Sequence, residues 1–168
     1  MRHLPGAGPM TDAARSALDN AGMPTTWNTR PVRVDDAAVI ARHRYFDDGS
    51  KEDLAAYERW VAVRIERGTY IGMLAEADGV VIAGAGAVLL DWGPTRGEPS
   101  GLRGRLVNVY TDPAWRRQGV ARNLVQEVMR RCQKREVQVF NLAATDDSAP
   151  LYRSIGFVPY ATEMILRP

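Results

Sequence analysis

The stretch Val107-Asn-Val-Tyr-Thr-Asp-Pro-Ala-Trp-Arg-Arg-Gln-Gly-Val-Ala121 constrains the chain most. Residues Arg105 to Thr111 alternate in a way that predicts a strand, with Leu106, Asn108 and Tyr110 on one face and Val107, Val109 and Thr111 on the other. Pro113 forces a turn. From about Gln118 to Arg135, apolar Val120, Leu124, Val125, Val128 and Met129 recur at helical spacing. Strand, turn and long helix therefore meet at Gly119. Backbone N–H groups at a helix start are unpaired, and the helix dipole draws anions to that end. Gly119 lets the chain approach a phosphate, Ala121 is small, and Arg116 and Arg117 add positive charge. The chemistry this junction suits is a pyrophosphate cradle.

Two familiar phosphate loops are excluded. Neither Gly-x-Gly-x-x-Gly nor Gly-x-x-x-x-Gly-Lys-Ser/Thr stands at this junction. The remaining elements form a mixed α/β order. A strand is expected at Pro31–Val34, then a helix capped by Asp35, then a turn at Asp47-Asp48-Gly49-Ser50. A second helix opens at Ser50 or Lys51, with Leu54, Tyr57, Val61 and Ile65 on one face, and Gly68 closes it. Strands over about Thr69–Glu76 and Val80–Leu90 flank Asp78-Gly79, a hairpin signal. Asp91 to Gly104 is expected as a loop, Val137–Leu142 as a strand, and Phe157–Leu166 as two short strands. Between them, Asp146, Asp147 or Ser148 caps a short helix holding Leu151, Tyr152 and Ile155, with Gly156 as its stop. Residues 1–28 are expected as an N-terminal tail, partly mobile or holding a short helix, and 29–168 as the single folded domain.

At 168 residues the chain can bury a core without metal or disulfide. Its net charge of +2, spread along the sequence, argues against a general nucleic-acid binder. Cys132 is the only cysteine and falls in the helical apolar pattern, which suits a core thiol. With His3 and His43 it makes no credible zinc site, so no metal is expected. No apolar run approaches the ~20 residues of a membrane span, and the N-terminus lacks a secretory core. A cytoplasmic protein without a membrane partner is the expectation.

Arg116, Gly119 and Ala121 supply the pattern Gln/Arg-x-x-Gly-x-Gly/Ala, preceded by Asn-Val-Tyr-Thr-Asp-Pro. Ala149-Pro-Leu-Tyr152-Arg-Ser-Ile-Gly156-Phe157 follows at the matching distance. Together, from about residue 29 to the C-terminus, these resemble the GNAT superfamily of acyl-CoA-dependent N-acyltransferases. The resemblance implies a central, mostly antiparallel sheet flanked by helices, in the order β-α-α-β-β-β-α-β-α-β-β, splayed between two parallel strands. It implies acetyl-CoA as cosubstrate and a small-molecule amine as acceptor, with direct transfer in a ternary complex. A homodimer is left open.

The resemblance also assigns roles. The backbone of Val109, Tyr110 and Thr111 would bond the pantetheine arm, with the Val109 N–H toward the thioester oxygen. Arg116, Arg117, Gln118, Gly119, Val120 and Ala121 would hold the pyrophosphate. Tyr152 would protonate the leaving thiolate. Thr145, where many relatives carry asparagine, and Ser148 are the further cofactor positions. No carboxylate stands on Arg105–Thr111, so the base is unassigned. That gap keeps a non-catalytic acyl-CoA sensor as the alternative. Asn108, Asn141 and Glu163 could face the cleft or be paired structurally, and Tyr57 and Trp60 could line a substrate wall. The acidic run Asp47–Asp53 would draw a cationic acceptor.

Overall fold

The computed structural model describes residues 26–46, 52–160 and 166. Five strands form one sheet in the order β1-β2-β3-β4-β5: β1 Asn28–Pro31, β2 Tyr70–Ala77, β3 Val80–Asp91, β4 Leu102–Thr111 and β5 Val139–Asn141. The first four pair antiparallel, and β4 pairs parallel with β5. Helices α1 (Ala37–Arg44) and α2 (Leu54–Glu66) cover one face, and α3 (Val120–Gln133) covers the other. The short α4 (Ala149–Arg153) follows β5.

Two cores result. Ala83, Ala85 and Ala87 of β3 meet Leu124, Val125 and Val128 of α3, which are all fully buried or nearly so. On the opposite face, Ile40, Val61, Tyr70 and Val88 pack together. Each buried Val, Leu or Ile contributes roughly 1.5–3 kcal/mol over its exposed state, so the α3 face is the main anchor of the domain. Cys132 sits in that core with no exposure, and burial pushes its thiol up to about 11. No helix among the described residues is long and apolar enough to cross a membrane.

Several expected boundaries move. The first strand is Asn28–Pro31, and Val34–Asp36 is a 3-10 turn. Asp36, rather than Asp35, organises this turn: its carboxylate accepts from the Arg33 N–H at 2.7 Å and from both Arg30 guanidinium NH groups at 2.7 and 2.9 Å. Arg30 also reaches Glu76 on β2 at 2.7 Å, which ties the turn to the sheet. The second helix starts at Leu54, because the Asp53 carboxylate caps the Ala56 N–H at 2.8 Å. Strand β4 begins at Leu102, inside the expected loop, since Leu102, Arg103 and Gly104 pair with Asp91, Leu90 and Leu89. Phe157 to Tyr160 form no strand. Residues 161–165 of that expected pair, Glu163 among them, the N-terminal tail to residue 25 and the run Asp47–Lys51 lie outside the described residues.

The expected alternation of β4 is also broken. Gly84 pairs with Tyr110 but Gly86 pairs with Val107, so β4 carries one extra residue at Asn108. Asn108 takes φ +56°, a left-handed conformation that asparagine tolerates better than most residues. The bulge reverses the phase of the strand. Val107 packs in the α1/α2 core and Val109 in the α3 core, although an unbroken strand would give them one face.

Candidate active site

Strands β4 and β5 form a fork. Their pairing covers only Arg103–Val139, Gly104–Phe140 and Arg105–Asn141. Beyond it, Leu106 to Thr111 have no described strand on that edge. The register shows which backbone groups face the opening. Asp112 N–H donates to the Ile82 carbonyl at 2.8 Å, so this pair bonds across to β3. Counting back by two, Tyr110 also faces β3, through Gly84. Val109 and Thr111 therefore turn their N–H groups toward the fork. Before the bulge the phase is opposite: Gly86 faces Val107, whose N–H points to β3. The extra residue is what turns the Val109 N–H outward. Of the expected backbone trio, Tyr110 is thus directed away from the opening through its N–H.

The second half of the site is the start of α3. Asp112 accepts from the Ala114 N–H at 2.9 Å, Pro113 fixes the turn, and Trp115 is buried beneath it. The chain then enters the helix through two left-handed residues, Arg117 at φ +60° and Gly119 at φ +82°. A Cβ placed on Gly119 would meet no atom within 4 Å, so the space before the helix is open. The first helical bond is Asn123 N–H to the Gly119 carbonyl at 3.0 Å. The N–H groups of Gln118, Gly119, Val120, Ala121 and Arg122 have no acceptor among the described residues. Arg116 folds back, its Nε donating to the Thr111 carbonyl at 3.2 Å, while Arg117 is exposed. Strand end and helix mouth are thereby joined. The Thr111 hydroxyl oxygen and the Asn141 Oδ1, on either side of the fork, are buried without a partner among the described residues.

Tyr152 lies on α4 with 8% of its surface exposed, in the same core cluster against which Val109 packs. Phe157 meets its ring edge-on at 5.9 Å. The Tyr152 hydroxyl bonds to none of the described residues. Burial of the ring raises its pKa, so the phenol keeps its proton at neutral pH. Thr145 and Ser148 stand just before α4 and satisfy each other. The Thr145 N–H donates to the Ser148 Oγ at 2.9 Å, and the Ser148 N–H to the Thr145 Oγ1 at 3.3 Å. This reciprocal pair, rather than Asp146 or Asp147, makes the helix start.

On the α1/α2 side, Asn108 is paired. Its Nδ2 donates to the Tyr70 hydroxyl at 3.1 Å and its Oδ1 accepts from the Tyr57 hydroxyl at 3.1 Å. Tyr57 stacks on Trp60, with ring centroids 5.3 Å apart. Tyr110 extends the aromatic surface, lying against His43 at 4.6 Å and Phe46 at 5.4 Å. Burial, with Arg42 nearby, lowers the His43 pKa to about 4, so its imidazole is neutral near pH 7. Sequence reasoning missed Tyr110, His43 and Phe46 as neighbours. The only available signal was the glycine at position 84, which leaves room for the imidazole across β3. Among the described residues no group of three His, Cys, Asp or Glu side chains is placed to hold a metal ion.

The fold has known counterparts. A GCN5-related N-acetyltransferase from Ralstonia eutropha JMP134 is 29% identical, with a TM-score of 0.76 over 85% of this chain and 99% of that one. A predicted acetyltransferase from Clostridium acetobutylicum, solved with acetyl-CoA, is 22% identical, with a TM-score of 0.77 over 84% and 96%. Glucosamine-6-phosphate N-acetyltransferase from Arabidopsis thaliana shares the fold at 14% identity, with a TM-score of 0.68 over 84% and 98%. No curated protein sequence was found to match. A family model for the acetyltransferase (GNAT) family matches residues 34–157. That match takes in the bulged strand, the open helix mouth and the tyrosine helix alike, and the chain belongs to the acetyltransferase (GNAT) family.

Proposed function

We propose that the protein is an N-acetyltransferase that moves an acetyl group from acetyl-CoA to a primary amine of a small acceptor, by direct transfer in a ternary complex. The observation that carries this reading is the fork. An outward Val109 N–H on β4 and a row of unengaged N–H groups at Gln118 to Ala121 sit on one continuous stretch from strand to helix. The row would take the pyrophosphate, helped by the positive end of α3. The Val109 and Thr111 N–H groups would meet the pantetheine arm as an added strand does.

In the reaction the neutral amine attacks the thioester carbonyl, forming C–N as C–S breaks. The Val109 N–H would steady the oxyanion that develops. The Tyr152 phenol, protonated at neutral pH, would give its proton to the CoA thiolate and recover one from solvent. No carboxylate lies on β4, so the amine's proton would leave through water. The rate should then climb with pH toward the amine's own pKa. The test is release of free CoA thiol from acetyl-CoA over a panel of amino acids, polyamines, aminoglycosides and peptide N-termini. Tight acetyl-CoA binding with no thiol release for any amine would replace the enzyme by an acyl-CoA sensor.

A further inference from the structure

We infer that the Tyr57–Asn108–Tyr70 network is the device that holds the β4 bulge in register, and so aims the Val109 N–H at the thioester oxygen. The inference rests on the acetyltransferase reading and assigns positioning residues to it. Asn108 is 8% exposed and Tyr70 3%, so their bond is shut away from solvent, while Tyr57 is half-buried at the outer side of the network. It draws on three separate elements. Tyr57 comes from α2, Tyr70 from the start of β2, and Asn108 from the bulge itself. Tyr70 pairs with Val88 on β3, two residues from Gly86, and Gly86 faces Val107 beside the bulge. The Tyr70 ring lies across Gly86, where any Cβ would overlap its hydroxyl. Glycine at 86 is therefore what lets a tyrosine on β2 reach across β3 to a side chain on β4.

The bulge needs such a clamp. A strand with one extra residue can shift it by two positions and restore the side-chain faces, and nothing in the apolar pattern of β4 forbids this. Asn108 stops the slip, because only there does the amide satisfy both phenols. Its φ of +56° is a conformation most residues avoid. With the amide oxygen and nitrogen both engaged, the left-handed backbone and the rotamer are fixed together. By the register, moving the extra residue past position 109 would return the Val109 N–H to β3. The network touches neither the fork edge nor the α3 mouth, so it acts on acetyl-CoA only through Val109.

The test needs no acceptor. Acetyl-CoA carrying a 13C-labelled thioester carbonyl is bound to wild type, Tyr70→Phe and Asn108→Gly, and its carbonyl stretch is recorded by isotope-edited infrared spectroscopy. Glycine is chosen at 108 because it tolerates the left-handed φ, so strain is not confused with loss of the clamp. CoA lacking the acetyl group is titrated in parallel. Wild type should lower the carbonyl frequency relative to free acetyl-CoA, as a hydrogen bond to the oxygen requires. Both variants should lose that shift or broaden it, while binding CoA as wild type does. A carbonyl band identical to wild type in either variant would overturn the inference. Failure of wild type to bind CoA would instead overturn the acetyltransferase reading.

Discussion

Replacing Gly119 by Asp tests the helix mouth. Gly119 sits at φ +82°, and a Cβ there has no atom within 4 Å, so substitution brings backbone strain without steric overlap. The strain is worth ~1–2 kcal/mol. A carboxylate at the N-terminus of α3 recovers ~0.3–1 kcal/mol from the helix dipole. The unliganded protein should thus lose about 1 kcal/mol, or ~2–4 °C in Tm for a chain of this size. Gly119→Asn carries comparable strain without the charge and is the reference. Against a bound pyrophosphate, each phosphate charge ~4 Å from the new carboxylate costs ~1 kcal/mol even at the dielectric of water. Two such charges weaken CoA binding by at least ~30-fold relative to Gly119→Asn. Calorimetric titration with CoA at two ionic strengths measures the difference, which should shrink as salt rises because the site is open. Equal affinities for the Asp and Asn variants would mean that the phosphates lie elsewhere.

Three further outcomes are expected. Tyr152→Phe should leave CoA affinity intact and slow single-turnover acetyl transfer by ~10²–10⁴-fold where sulfur protonation limits the rate; an unchanged rate would make Tyr152 a core residue only. Arg30 and the Arg33 N–H hold the Asp36 carboxyl below its usual range, so its contribution to stability is complete above that range and is lost as pH falls through the folded-state value. Asp36→Asn should flatten the acid side of the stability curve measured by urea unfolding, and a slope equal to wild type would remove the ion pair from the account. Gly86→Ala should destabilise by ~1–3 kcal/mol, because its methyl overlaps the Tyr70 hydroxyl; chemical denaturation showing no loss would place Tyr70 elsewhere.

Much of the fold was legible because periodicity carries it. The α3 positions Val120, Leu124, Val125 and Val128 are all buried, as their spacing demands. The Asp78-Gly79 hairpin lies where its turn residues predict, with both residues at positive φ. Boundaries set by a single side chain were not legible. The sequence pattern points to Asp35 as the cap, and only the distant Arg30 makes Asp36 the residue that turns the chain. Likewise Thr145 and Ser148 complete each other, so neither is distinguished alone.

The hardest feature to read was the one on which the proposed chemistry depends most. Val107-Asn-Val-Tyr-Thr111 looks like an unbroken alternating strand, and alternation would give Val107 and Val109 one face and one hydrogen-bonding edge. They have neither, because Asn108 is an insertion into the ladder rather than a member of it. Nothing local announces this, since the stabilising partners Tyr57 and Tyr70 stand 51 and 38 residues away. An ideal strand would point the Val109 N–H at β3, as it does that of Val107, and would close the row of donors facing the fork. The irregularity is therefore consistent with the regular pattern around it. Small residues on β3 and β-branched residues on β4 build a sheet that tolerates one extra residue. The Tyr57 and Tyr70 phenols then select where that residue goes.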